Sequence, residues 1–177
     1  MKEQQKKYEL TDEFIEIFGG KKLYRIKALV SFGVVVAGQL GGFIESEKNL
    51  DQSLSSNAWV SGDARVYGDA RVSGDAEVYG DAEVYGDALV SGDARVRSHA
   101  VISEHKMIFW ASNVGSENGT LTVFNGKDGL IVTRGCFAGT VDEFLAKSAK
   151  VHDDKTKNEY KLLIEVAKSR ILGVKDE

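Results

Sequence analysis

The chain has 177 residues, 42% of them apolar, with one cysteine, no proline and a formal net charge of −4. That is enough apolar matter for a core in one domain or two small ones. A single cysteine excludes an internal disulfide framework and fits a reducing compartment. No run is long enough to span a membrane, because the most apolar window, Ala28 to Leu40, is broken by Ser31, Gly33 and Gly38.

Met1-Lys-Glu-Gln-Gln-Lys-Lys is polar and leads into no apolar run, so the expectation is a cytoplasmic protein with residues 1–7 as a frayed tail. Glu13-Phe-Ile-Glu-Ile-Phe and Leu23-Tyr-Arg-Ile-Lys-Ala-Leu are β-rich runs separated by Gly19-Gly20, which predicts a hairpin. Apolar residues then return at a spacing of six, at Val30 and Val36 and later at Ile44 and Leu50. This predicts an irregular first coil, and residues 1–53 together read as a cap.

Residues 54–104 carry a six-residue beat. Leu54, Val60, Val66, Val72, Val78, Val84, Val90 and Val96 open eight consecutive units, and the fifth position is alanine in all eight, from Ala58 to Ala100. An α-helix needs apolar spacings of three and four, so the beat excludes one and predicts a parallel β-helix with three units per coil. Valine suits a pleated interior, alanine fits beside a corner, and Gly-Asp supplies the bend. Residues 18 apart then stack, which puts Arg65 over Glu83, Glu77 over Arg95 and Tyr67 on Tyr85. The aspartates stack as well, and like charges so placed demand bonds to corner amides. The eight repeats, residues 54–101, hold six Asp and two Glu against four Arg, so the column is acidic and a poor partner for duplex nucleic acid.

This pattern resembles the hexapeptide-repeat superfamily, the left-handed parallel β-helix, whose members include acyltransferases, carbonic anhydrase-like proteins and scaffolds. A wider resemblance rests on Tyr24-Arg-Ile-Lys-Ala-Leu, on Val36-Ala-Gly-Gln-Leu-Gly-Gly-Phe-Ile-Glu-Ser-Glu-Lys-Asn-Leu, and on Thr133-Arg-Gly-Cys-Phe-Ala-Gly-Thr-Val-Asp-Glu-Phe-Leu. These stretches look like those of small phage and prophage hexapeptide-repeat proteins. The resemblance implies a viral origin, with a host protein as partner and interference with a host defence system as one version.

Residues 105–177 predict an α+β unit. His105 to Trp110, Thr120 to Phe124 and Leu130 to Thr133 read as a three-strand meander punctuated by Glu117-Asn-Gly and Asn125-Gly-Lys-Asp-Gly. Thr140-Val-Asp-Glu is a capping box opening a helix with Val141, Phe144, Leu145 and Ser148 on one face. After a polar break from His152, a second helix places Tyr160, Leu163, Ile164, Ala167 and Ile171 at helical spacing and ends near Gly173.

Several residues carry chemistry in principle. His99 and His105 are the candidates for an acyltransferase base, but the repeats run without a substrate loop, so catalysis is the minor reading and no cofactor is expected. Three histidines could in number form a zinc site, yet His152 lies in a different unit from His99 and His105. Cys136 precedes a helix with a cation two residues away, which favours a thiolate, but no histidine is near in sequence and a buried small hydrophobe accounts for it better. Arg134, Gly135, Gly139 and Thr140, with Cys136 and Phe137 between them as further candidates, form a Gly-flanked loop opening a helix, where anions gather, although Asp142 and Glu143 oppose one. Tyr67, Tyr85 and Arg71 on the outer faces could stack on a nucleobase. Trp59, Tyr67, Tyr79 and Tyr85 are read as outward residues of a subunit interface, in a homotrimer about a threefold axis. The leading expectation is a non-enzymatic binding scaffold. A protein sequestering a nucleotide-like ligand between subunits is the second, and an acyltransferase the third.

Overall fold

A computed structural model describes residues 3–173. The N-terminal hairpin forms as its sequence predicts: β1 (Tyr8–Ile17) pairs antiparallel with β2 (Lys21–Ala28), with Gly19 and Gly20 at positive φ in the turn. β2 pairs in turn with β3 (Leu40–Ile44), and β3 lies parallel to the first regular coil. One six-stranded sheet therefore carries the cap and one side of the column together.

The column is a β-solenoid of two-residue strands: β4 (Trp59–Val60), β5 (Arg65–Val66), β6 (Arg71–Val72), β7 (Glu77–Val78), β8 (Glu83–Val84), β9 (Leu89–Val90), β10 (Arg95–Val96) and β11 (Val101–Ile102). The three faces run β3-β5-β8-β11, β4-β7-β10 and β6-β9. Trp59 pairs with Glu77 and Glu77 with Arg95, each 18 residues on, so the predicted register holds. The interior is dry: Val60 to Val96 and Ala58 to Ala100 are all at most 1% exposed. Each buried valine contributes on the order of 1.5–3 kcal/mol by leaving water. Arg65 meets Glu83 at 3.4 Å, and the Tyr67 and Tyr85 rings stack at 5.1 Å with planes 7° apart.

Three expectations change in the first coil and at the corners. Leu54 is 51% exposed and lies outside the column, while Leu50, 1% exposed, bridges to Val72, 22 residues on, and takes the interior site. Four extra residues between Leu50 and Trp59 make a wider corner and throw Leu54 outward. Val36, at 63% exposed, also lies outside, so the coil begins at β3 and not at Val30. The corner aspartates face solvent and do not bond the corner amides as a class; only Asp75 accepts from one, the Asn57 N–H at 3.3 Å. In water their mutual repulsion is screened, which removes the demand for such bonds.

The frayed-tail expectation fails at Lys7, and residues 1–2 lie outside the described residues. Lys7 is fully buried under the wide corner, its Nζ donating to the carbonyls of Ser56 at 3.2 Å and Ala58 at 3.0 Å. Burial lowers its pKa to about 8, with Asp51 opposing the shift. Tyr8 donates its hydroxyl to the Leu50 carbonyl at 2.6 Å, and the Gln52 amide accepts from the Lys7 N–H at 2.9 Å.

The far end is closed by a meander of four strands, not three: β12 (Ile108–Val114), β13 (Gly119–Gly126), β14 (Gly129–Arg134) and β15 (Phe137–Thr140). The fourth pairs with β14 around a two-residue turn, Gly135-Cys136, with Gly135 at φ 55°. Phe124 and Ile108 pack into the solenoid core, and Thr133 Oγ1 donates to the Arg95 carbonyl at 2.7 Å. The capping box forms as read, with Thr140 Oγ1 accepting from the Glu143 N–H at 3.1 Å and opening α1 (Val141–Val151). The polar break is short, because Asp153 caps α2 (Asp154–Leu172) directly. Both helices bury Phe144, Tyr160, Ile164 and Ala167 against β13 and β14. Among the described residues, no helix is long and apolar enough to cross a membrane.

Candidate functional site

The β4-β7-β10 face does not stay open along its length. At one end the loop Gly33-Val34-Val35 leans over it, and at the other the tips of β13 and β14 do. Between these walls lies a groove of about 680 Å³. Its layers follow the coil stacking. Trp59 and Asn57 lie beside the first wall, Asp75, Glu77 and Tyr79 come next, then Asp93 and Arg95, and finally Arg134, Gly135 and Thr120 beside the second wall. Successive strands on this face are spaced by about 4.8 Å, so the groove is a slot across the strands, not along them.

Each acidic group in the slot has one contact with its own chain, through one oxygen: Glu77 lies 4.0 Å from the Arg95 guanidinium, Asp93 accepts from the Ser112 hydroxyl at 3.2 Å, and Asp75 accepts from the Asn57 backbone N–H at 3.3 Å. Arg134 differs. Its Nε donates to the Tyr160 hydroxyl at 3.0 Å, and Tyr160 is itself buried in the helical core. The guanidinium passes over Gly119, where a Cβ would stand 2.6 Å from its central carbon. Glycine there is a matter of space, since any side chain would push the guanidinium away. No carboxylate among the described residues lies within 4.0 Å of it.

The candidates read from the sequence are dispersed over several surfaces. Arg134, Gly135, Tyr79 and Trp59 meet in the groove. Tyr67 and Tyr85 stack on the adjacent β5-β8 face, where Lys21 sits 5.8 Å from the Tyr67 ring and burial with the Glu83 charge lifts the Tyr67 pKa to about 12. Arg71 is exposed on the third face. Trp59 is corrected outright: it is 5% exposed, wedged edge-on against Tyr8 at 6.3 Å and Phe32 at 5.3 Å. It is covered by its own chain, so it cannot serve as an outward interface residue.

The Gly-flanked stretch is corrected too. Arg134 to Thr140 is a β-hairpin, so Arg134 and Gly135 are separated from the α1 N-terminus by the whole of β15. Cys136 is exposed in the hairpin turn and is not a buried hydrophobe, and its carbonyl accepts from Arg97 Nη2 at 3.1 Å. Thr140 lines a smaller recess of about 220 Å³ with His99, Lys127 and Gly139. Phe137 packs beside Phe144 at 5.5 Å. His99 is exposed, 3.8 Å from Asp81, and His105 is exposed in the short 3-10 turn His105–Met107. Among the described residues the histidine side chain that hydrogen-bonds a hydroxyl is His152, with Ser148 at 2.9 Å, and not His99 or His105; no group of three His, Cys, Asp or Glu side chains there could hold a metal ion.

Sequence reasoning missed Gly119, Asp93 and Val34 as lining residues, because they lie in three separate segments. Glu77 and Arg95 were legible as a stacked pair, and that pair marks the floor of the slot.

No curated protein matches this chain at a significant level. A family model described as the YdcK beta solenoid repeat matches residues 58–74 and again 64–80, so the coils from Ala58 to Gly80 are similar to that repeat.

Proposed function

We propose that this protein acts by binding: a β-solenoid scaffold that offers one walled groove to a protein partner. The observation that carries the reading is the groove itself, whose floor comes from the repeats and whose two walls come from the two caps. A regular coil alone presents flat faces of short side chains, and concavity is what small-molecule and peptide sites require. The resemblance to small phage proteins makes a host protein the natural partner. The reading includes self-association into a trimer, supported by the β5-β8 face, where the stacked Tyr67 and Tyr85 rings are only half-buried. Light scattering tests that part, and a monomer at micromolar concentration removes it.

The groove is tested by filling it. Ser61 lines it, whereas Ser91 holds the same repeat position on the β6-β9 face. Ser61→Trp should lose the protein that the wild-type chain captures from host lysate, and Ser91→Trp should keep it. Capture unaffected by Ser61→Trp, lost equally in both variants, or absent from the wild type counts against the reading.

A further inference from the structure

We infer that the Arg134 end of the groove is a carboxylate subsite, and that the occupant is an extended peptide ending in a free C-terminus with a basic side chain shortly before it. The inference rests on the groove being the binding site and names what fills it.

The argument begins with Arg134. Its guanidinium is held at one edge only, through Nε to Tyr160, which leaves both terminal nitrogens without a hydrogen bond among the described residues. A planar fork fixed at one corner and open along its outer edge matches a carboxylate with two parallel N–H···O bonds. No carboxylate of the described residues pairs with it within 4.0 Å. Arg65, Arg25 and Arg95, by contrast, each lie within 4.0 Å of a glutamate. Arg134 is also partly buried, so an anion arriving there meets less competition from water than at an exposed arginine.

The rest of the groove decides which anion. Moving away from Arg134, the next layers present Asp93 with Arg95, then Asp75 and Glu77 with Tyr79, before Trp59, Val34 and Val35. Three carboxylates against Arg95 repel a ligand whose charge is all negative, so a nucleoside polyphosphate fits badly. A chain with one terminal carboxylate, a cation about 10 Å behind it and an apolar residue beyond matches each layer in order. At roughly 3.3 Å per residue that places the basic side chain third from the end, and the whole groove takes about four or five residues. Because the groove crosses the strands, the peptide gains no strand pairing with the solenoid; side chains and its terminus must supply recognition.

The test uses the full-length chain and fluorescein-labelled pentapeptides with lysine third from the C-terminus and mixed residues elsewhere, as free acids and as C-terminal amides. Anisotropy should show the acid binding at least about tenfold more tightly than the amide, the scale of one charge-assisted bidentate pair. Arg134→Gln should bring acid and amide to the same affinity with its circular dichroism unchanged, and Arg134→Lys, a point charge without a fork, should keep part of the preference. Equal binding of acid and amide by the wild type, no binding of either, or an acid preference that survives Arg134→Gln overturns the assignment. Displacement of the peptide by ATP or inorganic phosphate at lower concentration than by unlabelled peptide overturns it in favour of a phosphate ligand. If Ser61→Trp abolishes partner capture while acid and amide bind alike, only the carboxylate assignment falls and the groove stands.

Discussion

Arg134 Nε donates to the hydroxyl of Tyr160 at 3.0 Å, tying the lip of the groove to the middle of the C-terminal helical core. Tyr160 is 1% exposed and fixed edge-on to Phe144 at 5.1 Å, so the acceptor cannot follow a moving guanidinium. Tyr160→Phe keeps the ring packing and removes only that acceptor, leaving a partly buried donor unpaired. The expected loss is about 1–2 kcal/mol in urea unfolding. A loss within error would mean that the hydroxyl does not hold Arg134.

The four-residue expansion of the first coil makes two leucines unequal. Leu50→Ala empties an interior position and should cost about 2–5 kcal/mol, whereas Leu54→Ala alters a solvent-facing corner and should fall within about 0.5 kcal/mol of wild type. Thermal unfolding of the two variants side by side checks the register. Equal losses would restore Leu54 to the column.

Corner glycines form ladders in which each stands over the next. Gly74 has φ 67°, and a Cβ there would meet the Gly92 amide nitrogen at 2.9 Å. Gly74→Ala therefore combines left-handed strain with a backbone clash and should cost at least about 2 kcal/mol. Ser98 sits at φ 63° as the last rung above Gly62 and Gly80. Ser98→Gly should relieve the strain there and stabilise the fold by up to about 1 kcal/mol, with the opposite sign to Gly74→Ala in the same denaturant series.

Lys7 makes stability depend on alkaline pH. Its pKa is about 8 when folded against 10.5 in a free chain, so between those values the unfolded state holds more protons. Stability then rises with pH above about 8, as the cost of burying the charge is relieved. Tyr8, whose pKa is raised by burial, acts in the reverse sense only above its ordinary value of 10.0. Unfolding free energy should therefore increase from pH 7.5 to 9.5 in the wild type and increase less in Lys7→Met. Parallel profiles for the two proteins would show that Lys7 does not titrate in this window.

The column was legible because its constraint is local and repeated. A valine every six residues with an alanine two before it has only one economical winding, and stacking at 18 then places Arg65 on Glu83 and Tyr67 on Tyr85. The capping box at Thr140 and the hairpin at Gly19-Gly20 were legible for the same reason, since each is complete within a few residues. Where the beat is interrupted, counting fails. Leu54 satisfies the period but loses its place to Leu50, because the corner between them is longer than a unit. β15 was hidden for a related reason: Phe137-Ala-Gly-Thr is too short to show alternation, and only its pairing with β14 makes it a strand.

The sequence by itself determined the winding, the dry interior and the pairs that stack along each face, because all of these follow from spacing within one continuous segment. Only the tertiary structure decided that one of three equivalent faces becomes a groove. That required the loop at Val34, the floor at Glu77 and the hairpin at Arg134 to meet across a hundred residues of chain. No period links those positions, and their meeting is fixed by how each cap closes an end of the column, burying Trp59 at one end and Phe124 at the other.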